Sequence, residues 1–270
     1  MVETDITPRP EGAYRLALWT VGPSVERKYP RLQALDAHVV VTPRTGNEAR
    51  LLRAGRTDHG SMAWVGRYPQ RGLGAIAFGD AQVRLDGGKW DQRLEWIAPV
   101  LVGGAVPHQM LMVWALGKKA QVTFKSRPQA WQAIQMMRLY ERFMSKPTVV
   151  IGDFNNNPVF HENDPNWDML ELVALLETAG LRSVYHEFGG LDHGDPRETP
   201  TRFRTNTKGD VEGHHTDYCF VPDSWLTALL NVQVGSRAEW IKNPRPEEHV
   251  PVVADFDARE LRRIIRSDGQ

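Results

Sequence analysis

A short run of polar residues directly follows an apolar segment in T-V-V-I-G-D-F-N-N-N-P, from Thr148 to Pro158. The β-branched residues of the apolar part predict a buried strand that ends near Gly152. Asp153 and Asn155 lie two positions apart, and such side chains on an extended backbone point the same way. Together they can hold a hard cation or orient a water molecule for attack on phosphorus. The same pattern also fits a strand followed by an Asn-rich structural turn.

Two other polar groups lie next to apolar strands. Asp217 lies near the start of one such segment, and Glu248 and His249 directly precede another. Taken singly, each is more typical of a cap or a structural hydrogen bond. If all converge, Asp217 orients His249 and keeps its imidazole charged, while Asp153 and Glu248 supply negative charge for a cation. The three groups together favour a catalytic site.

Strands must position these groups, and the apolar patterns of the sequence predict many strands. The predicted strands are Tyr14–Val21, Ala37–Thr42, Trp64–Arg67, Gly74–Phe78, Trp90–Leu101, Gln109–Leu116, Ser183–Phe188, His215–Pro222 and Val250–Phe256. Spacings of three and four residues predict helices at Glu26–Leu35, Ser126–Met144 and Trp167–Thr178. Many strands with few helices between them indicate a layered α/β domain. The polar stretch Leu191–Gly213 predicts either a mobile surface loop or one that faces a substrate.

Composition narrows the function classes. The chain has 270 residues, with 33 basic and 33 acidic side chains, so no net charge draws the whole molecule to nucleic acid or to a membrane. Cys219 is the single cysteine, which excludes an internal disulfide and a cysteine-based zinc site. The N-terminus lacks the pattern of a secretory signal, and no apolar run is long enough to span a membrane. We therefore expect a soluble cytoplasmic protein.

Several segments, taken in order, resemble the endonuclease/exonuclease/phosphatase superfamily, the deoxyribonuclease I-like group. They are G-D-F-N-N-N-P, A-G-L-R-S-V-Y-H, E-T-P-T-R-F, H-T-D-Y-C-F-V-P-D-S-W and E-E-H-V-P-V-V-A-D-F. The resemblance covers Tyr14 to Phe256 and is closest to divergent bacterial members. It implies an α/β fold, a four-layer sandwich of two mixed β-sheets flanked by helices. One such domain would span residues 1–270, with loose tails at 1–12 and 264–270.

The resemblance also implies a divalent-metal-dependent phosphodiester hydrolase, a nuclease or phosphodiesterase that uses Mg²⁺ or Mn²⁺. Asp153 would position the attacking water and bind metal, and Asn155 would hold the phosphate or metal. His249, with Asp217 as its partner, would stabilise the phosphate oxygens in the transition state. Glu248 falls where the family has an aspartate metal ligand. The substrate would be a phosphodiester such as DNA or RNA.

Three positions depart from the family pattern. Thr20 replaces the asparagine that usually ends the first strand, Glu248 replaces the aspartate, and Arg44 replaces a metal-binding glutamate. The last change alters the charge beside the proposed cation by two units, which at an effective dielectric of about 20 costs on the order of several kcal/mol of metal binding. Arg44, Thr20 and Thr201 are therefore candidate contacts of a substrate phosphate.

Three hypotheses follow from these residues. The first is a metal-dependent phosphodiester hydrolase with an altered metal shell. The second is a catalytically inactive family member that acts as a phosphate- or nucleic-acid-binding or regulatory module. The third is a metal-independent phosphoryl-transfer site in which Arg44 supplies the charge of the cation. The retained Asp217 and His249 pair favours an active enzyme.

Other polar residues are interpreted as structural. The histidines His161, His186, His193 and His214 lack the fixed spacing of a metal site, so we expect them on the surface or in structural contacts. Arg202, Arg204 and Lys208 lie in the polar stretch and are expected to form a solvated loop face.

Overall fold

Two six-stranded β-sheets stack on each other in the computed structural model, which describes residues 5–90, 96–115, 140–144, 146–160, 169–206, 208–241 and 247–268. Buried apolar side chains from both sheets form one continuous core between them. A smaller, three-stranded sheet has the order β11-β10-β14. The two large sheets have the orders β13-β15-β1-β2-β4-β3 and β5-β6-β7-β8-β12-β9.

The strands are β1 Ala13–Leu18, β2 Val39–Thr45, β3 Ser61–Tyr68, β4 Arg71–Ala77, β5 Gln82–Leu85, β6 Ile97–Gly103, β7 His108–Trp114, β8 Thr148–Asp153, β9 Leu181–Ser183, β10 Arg202–Thr205, β11 Val211–His214, β12 Asp217–Pro222, β13 Leu229–Val234, β14 Glu247–His249 and β15 Val252–Asp257. The helices are α1 Val25–Ala34, α2 Glu48–Arg53, α3 Glu141–Met144, α4 Met169–Thr178, α5 Val184–Gly189, α6 Arg237–Trp240 and α7 Ala258–Asp268. Short 3₁₀ turns cover Pro158–Phe160 and Asp223–Ala228.

Strand β8 is apolar on both faces because it contributes to two cores. Val149 and Ile151 pack into the core between the sheets. Val150 points to the other side, into a second core that includes Leu172 and Leu176 of α4. A strand covered on both faces shows no alternation of apolar and polar residues. The polar residues that follow β8 therefore emerge directly from the interior of the protein.

A buried ion pair joins β1 to β15 in the first sheet. The guanidinium of Arg15 donates from Nε and Nη2 to the two carboxylate oxygens of Asp255, at 2.6 and 2.9 Å, and both side chains have no exposed surface. Its Nη1 donates to the carbonyl oxygens of Thr7 and Leu35. The contact with Thr7 ties part of the predicted loose segment 1–12 to the sheet. Four of the five N–H donors of this buried cation thus have acceptors within the fold.

Two predictions about elements were wrong. The segment Ser183–Phe188 is not a strand, because the chain leaves β9 at Ser183 and forms helix α5. Consecutive residues of α5 are buried, from Val184 to His186, and Gly190 ends the helix in the left-handed conformation, with φ 57°. Tertiary packing here overrides the strand propensity of valine and the aromatic residues. The predicted loop Leu191–Gly213 contains strand β10 and most of β11.

The ends of the chain also differ from expectation. Residues 264–268, predicted as part of a loose tail, form the last part of α7, where Ile264 is 5% exposed. Most of the predicted helix Ser126–Met144 lies outside the described residues, and its end is helical as α3. Within the described residues, no helix is both long enough and apolar enough to cross a membrane.

Candidate functional site

Asp153 is the last residue of β8, and its side chain has no exposed surface. The preceding residue, Gly152, lets β8 pair closely with its parallel neighbour β7. A Cβ atom at residue 152 would overlap the backbone carbonyl of Val113 in β7. The close approach of β7 and β8 therefore requires glycine at 152. It places the carboxylate at the C-terminal end of the two strands, beside Trp114.

Asn155 orients the Asp153 carboxylate. Its backbone amide donates to Asp153 Oδ1 at 2.9 Å and its side-chain Nδ2 donates to Oδ2 at 2.8 Å. The same Nδ2 donates to the carbonyl oxygen of Ala115 at 2.6 Å. Asn155 has φ 49°, a left-handed conformation that asparagine tolerates better than most residues. The polar turn after β8 thus fixes the carboxylate in one orientation. The predicted contact of Asn155 with phosphate or metal stays a prediction.

Asp217 begins β12 and lies directly opposite Asp153 in the antiparallel pair β8–β12. Three hydroxyl groups donate to its buried carboxylate: Thr20 to Oδ1 at 3.1 Å, and Thr201 and Thr216 to Oδ2 at 2.7 and 3.3 Å. The hydroxyls of Thr20 and Thr201 therefore support Asp217. Their predicted contact with a substrate phosphate stays a prediction.

His249 completes a buried pair with Asp217. Its Nδ1 donates to Asp217 Oδ2 at 2.8 Å, and the ring is 1% exposed. Burial alone lowers the pKa of His249, but the negative charges of Asp217 and Asp153 and the hydrogen bond to Asp217 raise it to about 9. The imidazole is therefore an imidazolium at neutral pH. Its Nε2 has no hydrogen-bond partner among the described residues and lies 4.0 Å from Asp153 Oδ2.

The two carboxylates differ in their affinity for protons. Burial, together with the negative charge of Asp217, raises the pKa of Asp153, although the positive charge of His249 opposes this. Burial alone also raises the pKa of Asp217, but the charge of His249 and the hydrogen bonds from His249 and Thr201 outweigh burial and lower it. Asp217 therefore stays ionised, whereas Asp153 is poised to accept a proton near neutral pH.

Glu247 lies among three cations of the chain. Its Oε1 is 2.9 Å from Arg44 Nη1 and its Oε2 is 3.3 Å from Arg202 Nη2. Its Oε1 is also 3.8 Å from His249 Nε2, an ion-pair distance that is too long for a hydrogen bond. The contact with His249 lowers the pKa of Glu247, and the charges of Arg202 and Arg44 lower it further against burial. Arg202, predicted on a solvated loop face, instead has a side chain only 16% exposed.

Glu248 faces a different neighbour. In β14 consecutive side chains point to opposite sides, so Glu248 faces away from Glu247 and His249. Its carboxylate lies 3.2 Å from Lys28 Nζ of α1. The predicted role of Glu248 as a metal ligand stays a prediction, and of the two glutamates in β14 it is Glu247 that lies near His249.

By distance, Asp153, Asp217 and His249 could hold a metal ion, since one potential ligand atom from each lies within 4.8 Å of the others. Their hydrogen bonds and the neighbouring charge do not fit a resident dication. Asp217 already accepts hydrogen bonds on both oxygens, one of them from His249 Nδ1. Arg44 places a guanidinium where the resemblance implies a glutamate ligand. We derive no step through a metal.

A second polar cluster lies behind the turn that follows β8. His186 Nε2 lies 2.8 Å from Glu198 Oε1, and Asn157 Nδ2 donates to Glu198 Oε2 at 2.7 Å. His193 stacks on His186, and both of these imidazoles are neutral because burial lowers their pKa to about 3 and about 4, respectively. Ligand atoms of these histidines and Glu198 also lie within 4.8 Å of one another.

The sequence spacing missed this cluster because its members meet only through the tertiary fold. His186 is buried and not on the surface. His214, which is half-buried, packs against Phe160. His161 lies outside the described residues.

Neither a protein-family model nor a curated protein sequence matches the chain. Solved structures do match. The chain is similar to the 3′ phosphatase NExo from Neisseria, solved with a product DNA hairpin, with TM-score 0.63 and 15% identity over 90% of this chain and 99% of that one. It is similar to an AP endonuclease from Archaeoglobus fulgidus, with TM-score 0.62 and 15% identity over the same shares.

The endonuclease domain of TRAS1, a telomere-specific non-LTR retrotransposon, matches with TM-score 0.60 and 13% identity over 92% of this chain and 99% of that domain. Identities this low establish the fold alone. The chain has the deoxyribonuclease I-like fold that these structures share, and the predicted sandwich of two mixed β-sheets is confirmed.

Proposed function

We propose that this chain, folded as a deoxyribonuclease I-like sandwich, is a phosphodiester hydrolase of the nuclease type. The observation that carries the proposal is the buried arrangement of Asp153 beside the Asp217–His249 pair. A base poised near neutral pH lies 4.0 Å from the Nε2 of an imidazolium. Water activation and stabilisation of a phosphorane-like charge need such a pair of groups.

The residues take the following roles. Asp153 accepts a proton from the attacking water, whose oxygen forms the new bond to phosphorus. The bond from phosphorus to the leaving alkoxide breaks in the same step, and that alkoxide leaves as an alcohol after it takes a proton from solvent. The Nε2–H of His249 donates to a non-bridging phosphoryl oxygen, on which negative charge grows in the transition state. Asp217 keeps His249 charged and holds its ring in place through Nδ1. Asn155 acts through Asp153 as a positioning residue.

A nucleic acid is the proposed substrate class. The similar structures are named as a 3′ phosphatase, an AP endonuclease and an endonuclease domain, and one was solved with a DNA hairpin. Basic side chains lie beside the site, including Arg44, Arg71 and Arg202, which suits a phosphate backbone. DNA and RNA share the phosphate chemistry that these residues would contact.

The test is hydrolysis of bis-(p-nitrophenyl) phosphate, plasmid DNA and a single-stranded RNA oligonucleotide, each with Mg²⁺, Mn²⁺ or EDTA. We expect the wild type to turn over at least one substrate, and Asp153→Asn and His249→Gln to lose about 100-fold or more of that rate. Arg266→Ala, an exposed change on α7, is the matched control and should keep wild-type activity. Wild type inert on all substrates under all conditions, or Asp153→Asn as active as wild type, refutes the proposal.

A second candidate function is phosphate or nucleic-acid binding without turnover. The observation that favours it is Arg44, which stands at the position of a predicted metal ligand. Its guanidinium contacts Glu247 Oε1, the oxygen that lies 3.8 Å from His249 Nε2. The hydrolysis assay separates the two candidates, since a binding module would retain an oligonucleotide and leave it intact.

A further inference from the structure

We propose that Arg44, Arg202 and His249 form a phosphate-binding site that works without a divalent cation, and that the Glu247 carboxylate occupies it as an internal anion until a phosphate displaces it. This inference rests on the proposed function, because it assigns the phosphate contacts of the same site. It concerns charges supplied by the chain itself.

The backbone of β2 is shaped to present Arg44. The pairing of β2 with β4 is interrupted between Pro43 and Thr45, so Arg44 is the extra residue of a β-bulge. Its φ of 60° lies in the left-handed region, which is unfavourable for a long L side chain. Bulges and such outliers re-aim side chains and are common at functional sites. Here the outcome is an arginine whose Nη1 reaches Glu247 at 2.9 Å.

Donors in the site outnumber the oxygens of Glu247. Arg44 Nη1 and Arg202 Nη2 contact the carboxylate. Arg202 Nε and His249 Nε2 are buried and have no hydrogen-bond partner among the described residues. A buried N–H left without an acceptor is unfavourable, because it has lost its hydrogen bonds to water. A phosphate group offers tetrahedrally arranged oxygens and can reach donors that a planar carboxylate leaves unpaired.

Glu247 is placed so that it can leave. Its side chain is 33% exposed, unlike those of Asp153 and Asp217, which are at most 1% exposed. A glutamate with this exposure has room to rotate away from the two arginines. Displacement by a phosphate would exchange one anion for another, so the cations would never be left uncompensated.

Arg71 extends the same positive surface. Its guanidinium lies over the ring of Trp114, with 5.2 Å to the ring centroid. Burial lowers the pKa of Arg71, and repulsion by the adjacent positive charge of Arg44 lowers it further. An added anion relieves this repulsion. This is a second reason for the site to favour a phosphate.

The test uses inorganic phosphate as probe and isothermal titration calorimetry of the full chain in EDTA, repeated with Mg²⁺. We expect the wild type to bind phosphate in EDTA, with Mg²⁺ giving no gain. Glu247→Gln should bind at least 5-fold more tightly, and Arg44→Ala and Arg202→Ala at least 10-fold more weakly. Arg266→Ala should bind as the wild type does. Glu247→Ala, which leaves no competing amide, must show the same gain as Glu247→Gln.

Phosphate binding that requires Mg²⁺, or Glu247 variants that bind no more tightly than wild type, would overturn the inference. Thermal unfolding of each variant identifies any loss of affinity that comes from misfolding. Hydrolysis measured on the same samples separates the two proposals. Metal-dependent hydrolysis without metal-free phosphate binding refutes this inference and leaves the proposed function intact. Metal-free phosphate binding without hydrolysis under any condition supports this inference and refutes the proposed hydrolase function.

Discussion

Replacing Asp217 by asparagine tests the electrostatic basis of the site most sharply. The change removes one negative charge that lies 2.8 Å from His249 Nδ1 and preserves the size of the side chain. Asparagine keeps one acceptor oxygen, which can take the place of Oδ2 and accept from Thr201, while the Thr20 hydroxyl can turn to accept from the new Nδ2 amide. We therefore expect the fold to persist and the protonation of His249 to change.

The expected size of the effect follows from the pKa of His249. Its value of about 9 exceeds the ordinary 6.5 because the charges of Asp217 and Asp153 outweigh burial. Without Asp217, burial dominates, and we expect the pKa to fall to about 6.5 or lower. A difference of this size corresponds to about 3 kcal/mol. At pH 7.5 the imidazolium fraction would fall from nearly all molecules to about one in ten, and hydrolysis would fall with it by about 10-fold.

Stability should show the same linkage with a defined sign. A histidine whose pKa is raised on folding contributes stability that is fully present below pH 6.5 and is lost as the pH rises through about 9. The difference in free energy of unfolding between wild type and Asp217→Asn should therefore be largest below pH 6.5, shrink between pH 6.5 and about 9, and be smallest above that range. Urea unfolding at several pH values measures it.

The direct assay is a histidine NMR titration from pH 5 to 10, with His249→Gln used to assign the resonance. Asp268→Asn, an exposed change at the end of α7, serves as the control and should leave the pKa of His249 unchanged. A pKa of His249 that stays at 8 or above in Asp217→Asn would refute the reasoning, because Asp217 would then not be the group that keeps the imidazole charged.

Three further predictions concern the frame of the site. Gly152→Ala should lower the free energy of unfolding in urea titrations by about 1–3 kcal/mol or more, because the added Cβ would overlap the Val113 carbonyl. It should also reduce hydrolysis, and a variant as stable as the wild type would contradict this prediction. Arg15→Leu should lower the free energy of unfolding by about 3–5 kcal/mol, because it leaves the carboxylate of Asp255 buried and unpaired. The double variant with Asp255→Leu should recover much of that loss, and an equal loss in both variants would exclude the ion pair as the cause. Burial, and after it the charge of His186, lower the pKa of His215 to about 4, so the free energy of unfolding should fall as the pH drops from 6.5 to 4. His215→Gln should flatten this dependence, and an unchanged slope would contradict the prediction.

Local pattern was enough to predict the strand that carries Asp153. The apolar run before Gly152 has no polar residue, and a strand with two covered faces requires this. Through the family resemblance, the order of the motifs from Asp153 to His249 was sufficient to predict the fold. The contact between Asp217 and His249, proposed from the sequence, is present at 2.8 Å.

Contacts set by tertiary geometry could not be predicted in the same way. Glu247 and Glu248 are equivalent in composition, and only the pleat of β14 decides which one faces His249. Arg202 lies in a polar stretch that gave no sign of strand β10, whose pairing with β14 brings it to the site. Glu198 meets His186 across a turn with no regular spacing. In each case, the partner is chosen by strand pairing or packing far along the chain.

The pH–rate profile of wild-type hydrolysis of bis-(p-nitrophenyl) phosphate, quenched in alkali, tests the central claim most directly. The account predicts a bell-shaped profile: a rise as Asp153 loses its proton, and a fall near pH 9 as His249 loses its own. His249→Gln should lose the alkaline limb together with most of the rate. No turnover at any pH, or a rate that does not fall as the pH passes 9, would contradict the assignment of base and imidazolium to these two residues.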